Sequence, residues 1–414
     1  METKTNDQKE RQYYIDWLRI LLILSVFLFH VGMVFNSWDW HVKNDTTYNG
    51  TLRYVMTFLH YWRMPLLFLI SGAGTFYALG KRSPGQYLGE RFKRLIIPLM
   101  AGVFILVPVQ VYIERSGQYD SLLAFYPHMF DGVYPTGNFS WHHLWFIAYL
   151  FIISLMISPL LKMFKTNRYH RFMRYLERFF SKPLALNAFI LPLMISQVLL
   201  KPYFPEFTNG LYNDWAAVAY YLVFFLAGFV LLSNRSISET IRKQRRFFLI
   251  ESVVVTGMMF TLPHMMNSEK MGDLVWDGLS ICVAWSCGMA AIGYAKKYLN
   301  KNSIIRKSAN EAIYPFYLLH QPVIVVVAYF ITRWDVAVGW KAFLITIISF
   351  CTVVIMYRLL IYPFGFMRVI FGMKAVPKKQ KSGIRLLPEI HKISKVGSQY
   401  STQRLQPDKL GIRS

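Results

Sequence analysis

The sequence has little charge, and the charge it has is mostly of one sign. Only 16% of the 414 residues are charged, and 46 Lys and Arg stand against 22 Asp and Glu. A soluble chain usually has about 25% charged residues. Apolar residues make up 54% of the chain and form several runs of about 20 residues, the length that crosses roughly 30 Å of hydrocarbon. This composition excludes an ordinary soluble domain and predicts an all-helical integral membrane protein.

Cysteine is also scarce, and the motifs of several enzyme classes are missing. Cys282, Cys287 and Cys351 all lie in apolar stretches, and none has CxxC spacing. We therefore expect three small buried side chains, with no disulfide or zinc framework, no metal site and no bound cofactor. The chain has no P-loop, no GxGxxG motif and no internal repeat, and the missing P-loop argues against an ATP-driven pump.

The apolar runs predict about ten transmembrane helices. Their approximate limits are 15–35, 56–79, 95–113, 142–161, 184–200, 215–232, 247–266, 274–294, 310–331 and 340–366. The predicted organisation is an N-terminal segment (1–14), a transmembrane domain (15–371) and a basic tail (372–414). Because the tail has little apolar pattern, we expect a flexible cytoplasmic extension that lies on anionic membrane lipid.

The distribution of basic residues predicts the orientation. If the N-terminus is cytoplasmic, 38 of the 46 Lys and Arg fall in inner segments, 7 in outer segments and one, Arg63, inside the second span. Basic residues concentrate on the cytoplasmic side of membrane proteins. The pattern therefore predicts an even number of spans with both termini cytoplasmic, and it explains the net charge of +24 without a nucleic-acid partner.

The first predicted span carries two groups that are unusual in a membrane helix, Arg19 and His30. They are eleven residues apart, so a helix places them on one face about 16 Å apart along its axis. Asp16 lies one turn before Arg19 and can pair with it. Arg19 is near the inner surface, where an arginine that snorkels to the interface would also lie. His30 lies deep in the span, where a titratable group is either functional or a satisfied structural side chain.

Several stretches together resemble the membrane acyltransferase 3 family. The motifs that carry the resemblance are "DWLRILLILSVFLFH" (16–30), "RMPLLFLISGAG" (63–74), "RFKRLIIPL" (91–99), "HHLWFIAYL" (142–150) and "YPFYLLHQP" (314–322). The first is similar to the family's Arg-x10-His signature and the third to its Arg-x-x-Arg pattern. The loop "SWDWHVKN" (37–44) resembles the branch related to glucan biosynthesis protein C. The resemblance covers roughly residues 13–370.

The resemblance implies O-acylation in a bacterial inner membrane. An acyl group, acetyl or succinyl, would pass from acyl-CoA to a hydroxyl, usually on a carbohydrate of the cell envelope. An imidazole titrates in the range needed to take a proton from that hydroxyl, so we expect His30 to be the general base. An acyl-histidine intermediate is the alternative.

Arginines at the inner end are candidates for binding the donor. Arg91 and Arg94 are one turn apart at the inner end of the third span, and with Arg19 they could hold the phosphates of CoA. The alternative interpretation is that Arg91 and Arg94 only follow the positive-inside pattern.

The outer half offers candidates for the acceptor or an oxyanion. Arg63 could hold either one, or it could snorkel outward. His320 lies near mid-membrane, where Pro315 and Pro322 free backbone carbonyls, and it is either a core hydrogen-bonding group or part of a substrate tunnel. Trp40 and His41 are in a loop rich in groups that bind sugars. That loop could instead be structured without a ligand.

Two other functions fit parts of the pattern. Arg and His within spans also suit a secondary transporter of a polar or acidic solute. A non-catalytic membrane partner in envelope assembly would tolerate replacement of His30. Consumption of a thioester would favour the enzyme.

Overall fold

A computed structural model gives the fold of most of the chain. It describes residues 12–48, 50–79, 83–159, 166–182 and 184–375. Regular structure in these residues is helical, apart from one isolated bridge between Val133 and Phe139. Most of the two terminal segments predicted at 1–14 and 372–414 lies outside the described residues.

The main helices follow one another with short connections. In chain order they are α1 (Tyr13–Met33), α2 (Thr51–Leu79), α3 (Pro84–Glu114), α4 (Trp145–Ile157), α5 (Asn167–Phe180), α6 (Ile190–Leu200), α7 (Trp215–Leu231), α8 (Arg235–Thr261), α9 (Glu269–Tyr298), α10 (Ile304–Ile331), α11 (Val338–Met356) and α12 (Gly365–Ile370). Helix α3 contains two π-helical segments, Phe92–Ile96 and Gly102–Leu106. A 3-10 turn extends α8 to Met265, and a π segment extends α11 to Ile361.

The prediction of an all-helical membrane protein is confirmed. Six helices in the described residues are long and apolar enough to cross a membrane: α1, α3 and the four from α8 to α11. The other four predicted spans coincide with α2 and with three shorter apolar helices at His142–Ile157, Ala185–Leu200 and Trp215–Leu231.

Local sequence sets several helix starts. Ser83 caps α3 in a reciprocal pair with Gln86, and Pro84 occupies the first helical position, where its missing N–H costs nothing. The side chain of Asn234 accepts a hydrogen bond from the Ile237 amide at the start of α8. These residues satisfy amide groups that a helix leaves without an internal partner.

Helices α2 and α7 approach each other closely through glycine. A Cβ on Gly72 would lie 1.9 Å from the carbonyl oxygen of Phe225, and one on Gly228 would lie 1.7 Å from that of Leu69. Only glycine fits at either position. Small residues let membrane helices gain van der Waals contact at short range.

The prediction that all three cysteines are buried is wrong. Cys287 is buried, but Cys282 is half-buried and Cys351 is exposed. Helix α11 turns a face with Ile345 and Val353 inward, and Cys351 lies off that face. In a membrane protein an apolar run does not show whether a residue faces lipid or protein.

The segment after α1 folds back over the end of that helix. The ammonium group of Lys43 donates to the carbonyl oxygens of Met33 at 2.7 Å and Trp38 at 2.9 Å, and it also contacts Asn36. These bonds satisfy carbonyls at the helix end. They also hold the 37–44 loop against the end of the bundle where α1 terminates.

Candidate active site

Two histidines from distant parts of the chain meet between α1 and α10. Nδ1 of His30 lies 2.8 Å from Nε2 of His320, and the two rings are stacked with centroids 5.0 Å apart. His320 is fully buried, whereas His30 is partly accessible. Both were predicted site residues, and the structure brings them together.

A backbone carbonyl fixes the protonation pattern of this pair. Nδ1 of His320 lies 2.5 Å from the carbonyl oxygen of Tyr317, and because a carbonyl only accepts, Nδ1 carries the proton. In neutral His320, Nε2 is then an acceptor, so Nδ1 of His30 donates to it. In neutral His30, Nε2 is left with its lone pair and has no hydrogen-bond partner among the described residues. The arrangement therefore presents a base.

A third histidine packs behind the pair. The His143 ring lies edge-on to His320 at a centroid distance of 5.2 Å, and its Nε2 donates to the carbonyl oxygen of Leu318 at 3.1 Å. That carbonyl is available because Pro322, four residues on, has no N–H. The predicted freeing of a carbonyl by Pro322 therefore explains how His143 is held.

Trp40 packs against His30, the partly accessible member of the pair. Its ring stacks on that of His30 with an interplanar angle of 11° and a centroid distance of 6.2 Å. Trp40 is itself half-buried and comes from the loop that Lys43 holds in place. An aromatic surface therefore lies beside the His30 ring.

His41, the next residue, belongs to a polar cluster. Its Nδ1 contacts Glu114, and its Nε2 lies 3.2 Å from the side-chain amide of Gln321. Tyr134 donates to the other oxygen of Glu114 at 3.1 Å. Burial, followed by the charge of Glu114, raises the pKa of the Tyr134 hydroxyl, so it remains a donor. These contacts anchor the loop that carries Trp40.

Arg19 and His30 share one face of α1, as the spacing predicted. Arg19 lies 3.4 Å from the side-chain oxygen of Asn310 on α10, the same helix that supplies His320. Asp16 is 3.8 Å from Arg19, and it makes a closer contact with Arg306. The predicted pairing of Arg19 with Asp16 therefore occurs, but Arg306 shares the carboxylate.

Arg91 and Arg94 lie where α3 changes from α to π geometry. Arg91 donates to Thr75 at 2.6 Å and to the Tyr87 hydroxyl at 3.0 Å. The carbonyl of Arg94 accepts from Tyr314 at 3.0 Å, which ties this segment to α10. Arg19 Nη2 would lie 3.9 Å from a Cβ on Gly74, and Arg91 bonds to the next residue, Thr75, so with Arg94 one turn further along α3 the three arginines gather in one cationic cluster. Insertions of π geometry often occur at functional sites.

Arg63 is a buried cation without an ionic partner among the described residues. It is only 4% exposed, and its guanidinium carbon lies 3.3 Å from the ring centroid of Phe29. Its Nε and Nη1 groups are buried and have no hydrogen-bond partner. The snorkelling alternative does not describe this side chain, which points into the protein. Unpartnered buried donors are costly, so this position is suited to an anion.

Sequence reasoning missed His143 and Glu114. His143 lies in the motif "HHLWFIAYL" (142–150) but was not predicted as a site residue, and only the fold shows that it is buried against His320. Glu114 ends α3 and was not considered as a partner for His41. No group of three metal-ligating side chains occurs in the residues that the structure describes.

Comparisons with known proteins give a consistent result. A family model described as an acyltransferase domain matches residues 12–358. The glucans biosynthesis protein C of Escherichia coli K12 is 21% identical over 90% of this chain and 97% of its own length. The protein of the same name from Shigella dysenteriae serotype 1 has the same identity and coverage. No solved structure matches the chain.

Proposed function

Because this chain belongs to the acyltransferase 3 family and is a membrane acyltransferase, we propose that it moves an acyl group from acyl-CoA to a hydroxyl of a cell-envelope glycan. Acetyl and succinyl are the proposed acyl groups. The name of the relatives, glucans biosynthesis protein C, supports a glucose-containing acceptor. The proposed setting is a bacterial inner membrane, crossed by ten helices with both termini cytoplasmic.

The observation that carries the proposal is the unpartnered Nε2 of His30. The chain of hydrogen bonds from the Tyr317 carbonyl through His320 to His30 leaves this nitrogen basic. A general base needs a lone pair within reach of the substrate and a group that holds the ring in position. The pair provides both, with His320 in the positioning role.

In the proposed reaction, His30 takes a proton from the acceptor hydroxyl and later gives it to the leaving sulfur. The acceptor hydroxyl gives its proton to Nε2 of His30 as its oxygen attacks the thioester carbonyl carbon. The carbon–sulfur bond then breaks, and the proton passes from His30 to the leaving sulfur. The products are the new ester and free CoA, so no other reactant is needed.

Arg63 is proposed to stabilise the oxyanion that forms in this step. Its two unpartnered nitrogens, Nε and Nη1, provide charged donors, and its guanidinium lies over the ring of Phe29, the residue directly before His30. A donor fixed in a water-poor site stabilises developing charge strongly because it needs no reorganisation.

The cationic cluster of Arg19, Arg91 and Arg94 is proposed to hold the phosphates of CoA. Arginine stays charged and binds phosphate with two parallel donors. Arg19 and His30 are about 16 Å apart along α1, and the thioester arm would cover that distance between α1 and α10. Arg91 is already oriented by Thr75 and Tyr87.

Trp40 and His41 are proposed to shape the acceptor side. Trp40 offers an aromatic face next to His30, on which a sugar ring would stack. His41 acts by anchoring the loop through Glu114 rather than by touching the acceptor.

The test compares envelope glycans from host cells that lack the gene, carry the wild type, or carry His30→Asn at matched expression. Asparagine can still donate to His320 but cannot act as a base. His264→Asn, an exposed histidine in the turn after α8, is the matched control. Mass spectrometry of ester-linked acyl groups should show a modification restored by the wild type and the control but not by His30→Asn.

Two outcomes would count against the proposal. Full restoration by His30→Asn would make His30 structural. Loss of solute uptake without any change in acyl groups would favour the transporter.

A further inference from the structure

A polar cleft lies near the active site and has no role in the reaction described above. It is formed by α2, α6, α7 and α9 and encloses about 260 Å³. His60 and Tyr61 line it from α2, Gln197 and Lys201 from α6 and its end, and Asp277 from α9. Its volume lies just below the range of about 300–1,000 Å³ that is usual for ligand pockets.

The cleft offers hydrogen-bonding groups of both kinds. The Tyr61 hydroxyl accepts from the indole N–H of Trp276 at 2.6 Å, so its own hydrogen is available to donate. Lys201 and Asp277 contact each other, yet each side chain remains 38% exposed and has further bonding capacity. A ligand with many hydroxyls needs donors and acceptors side by side, because each hydroxyl is both.

The charges in the cleft do not suit an anion. Lys201 is the only lysine or arginine that lines it, and it is already paired with Asp277. Glu206 and Asp214 add carboxylates to the same cleft. By contrast, the other end of the bundle gathers Arg19, Arg91 and Arg94. A polyphosphate would be repelled from the cleft and attracted to the arginines.

The side chain of Phe29 connects the cleft to the residues of the proposed reaction. His60 lines the cleft, and its ring stacks on that of Phe29 at a centroid distance of 6.2 Å. Arg63, one turn further along α2, lies on the same Phe29 ring. Phe29 directly precedes His30. The ring of Phe29 in turn lies edge-on to that of His30 at a centroid distance of 5.8 Å, so the rings of His60 and Phe29 connect the cleft to the base.

We propose that this cleft binds a sugar residue of the acceptor, so that the glycan is held by a unit next to the one that is acylated. The ligand class is a neutral, hydroxyl-rich saccharide, with Tyr61 and Asp277 as its hydrogen-bonding partners. The proposal rests on the glycan acceptor proposed above. Aromatic side chains such as Phe204 and Phe207 at the rim would stack on the sugar ring.

The first test measures acceptor kinetics in the purified full-length protein with acyl-CoA and a linear glucose oligosaccharide. Tyr61→Phe and Asp277→Asn should each raise KM for the oligosaccharide about tenfold, since each removes one partner of a bound hydroxyl. KM for acyl-CoA should not change. Asp273→Asn, an exposed carboxylate one turn earlier on α9 and outside the cleft, should behave as the wild type.

The second test does not require catalysis. Binding of the same oligosaccharide to His30→Asn protein is measured at equilibrium, with inorganic phosphate as the competing anion. We expect binding that phosphate does not displace and that Asp277→Asn, added to the same protein, weakens about tenfold. If this binding occurs while the wild-type protein transfers no acyl group to the oligosaccharide, the proposed reaction fails but the cleft proposal stands.

Three results would overturn the cleft proposal. One is an unchanged KM and unchanged binding for both Tyr61→Phe and Asp277→Asn in protein that unfolds at the wild-type temperature. Another is equal weakening by Asp273→Asn. The third is displacement of the oligosaccharide by inorganic phosphate.

Discussion

Helices α1 and α10 contact each other around Arg19 at one side and around His30 at the other, and the two sides differ in their exposure to water. At one side Arg19, with 32% of its side chain exposed, meets Asn310 and lies among further arginines. At the other side His30 meets a fully buried His320, beside the buried Arg63. Charge at the first side can reach water, whereas charge at the second side is desolvated. In the proposed reaction, the same two helices would thus provide a binding site for a polyanion and a water-poor site for proton transfer.

The difference lies in how far each side chain is already satisfied. Arg91 has two hydrogen bonds within the protein, so it is oriented before any donor arrives. In Arg63, by contrast, two buried nitrogens, Nε and Nη1, have no hydrogen-bond partner among the described residues. An arginine that is hydrogen-bonded within the protein loses little free energy when the substrate leaves. A buried arginine without such bonds destabilises the protein until an anion binds to it. This difference supports the proposal that the first side binds the donor and the second side carries out the chemistry.

Arg63→Met gives the largest expected contrast between activity and stability. We expect kcat to fall about 10²–10³-fold, because a charged oxyanion donor is lost. The temperature of unfolding should stay the same or rise, because an unpaired buried charge is also removed. The two quantities are measured on the same purified sample. Arg53→Met, at the exposed start of α2, is the control and should change neither. Loss of both activity and stability would show that Arg63 supports the fold.

His320→Gln should lower kcat by about 10²-fold while leaving KM for acyl-CoA unchanged. A glutamine can turn either its amide oxygen or its NH2 group toward His30, so the proton of His30 is no longer confined to Nδ1. Turnover at saturating substrate measures the effect, and His264→Gln is the control. Wild-type kcat in His320→Gln would mean that His30 works without a positioning partner.

Arg91→Lys should act at the other side, where binding is expected to change and chemistry is not. The charge is kept, but the paired bonds to Thr75 and Tyr87 are lost. We expect KM for acyl-CoA to rise about tenfold at nearly constant kcat. Lys93→Arg, an exposed neighbour, serves as the charge-preserving control. A fall in kcat with an unchanged KM for acyl-CoA would contradict the proposal that Arg91 acts in binding and not in chemistry.

Glu114→Gln should have the smallest effect. It weakens the anchor of His41, so Trp40 is held less firmly over His30. Loss of one charge-assisted hydrogen bond predicts a few-fold rise in KM for the acceptor. Steady-state kinetics with varied oligosaccharide would detect it. A large loss of kcat would instead place Glu114 in the proton pathway.

The sequence predicts what depends on local periodicity. Arg19 and His30 share a face because 11 residues complete three helical turns, and that face contacts α10. The role of Pro322 in freeing a carbonyl likewise follows from local geometry. Such features need only the helix to form.

What depends on distant partners could not be predicted. His30 and His320 are 290 residues apart in the chain, and no spacing rule relates them. The burial of Arg63 and the inward turn of His143 depend on which helices surround them. The exposure of Cys351 has the same origin, because lipid and protein are equally apolar surroundings for a helix.

The measurement that tests the central claim most directly is acyl transfer by purified protein, wild type against His30→Asn, with acyl-CoA and a glucose oligosaccharide. The assay follows both loss of the thioester and gain of the ester, together with the Kd for acyl-CoA. The account predicts that His30→Asn binds acyl-CoA as the wild type does and transfers the acyl group at least about 10²-fold more slowly. Transfer by His30→Asn at close to the wild-type rate would contradict it.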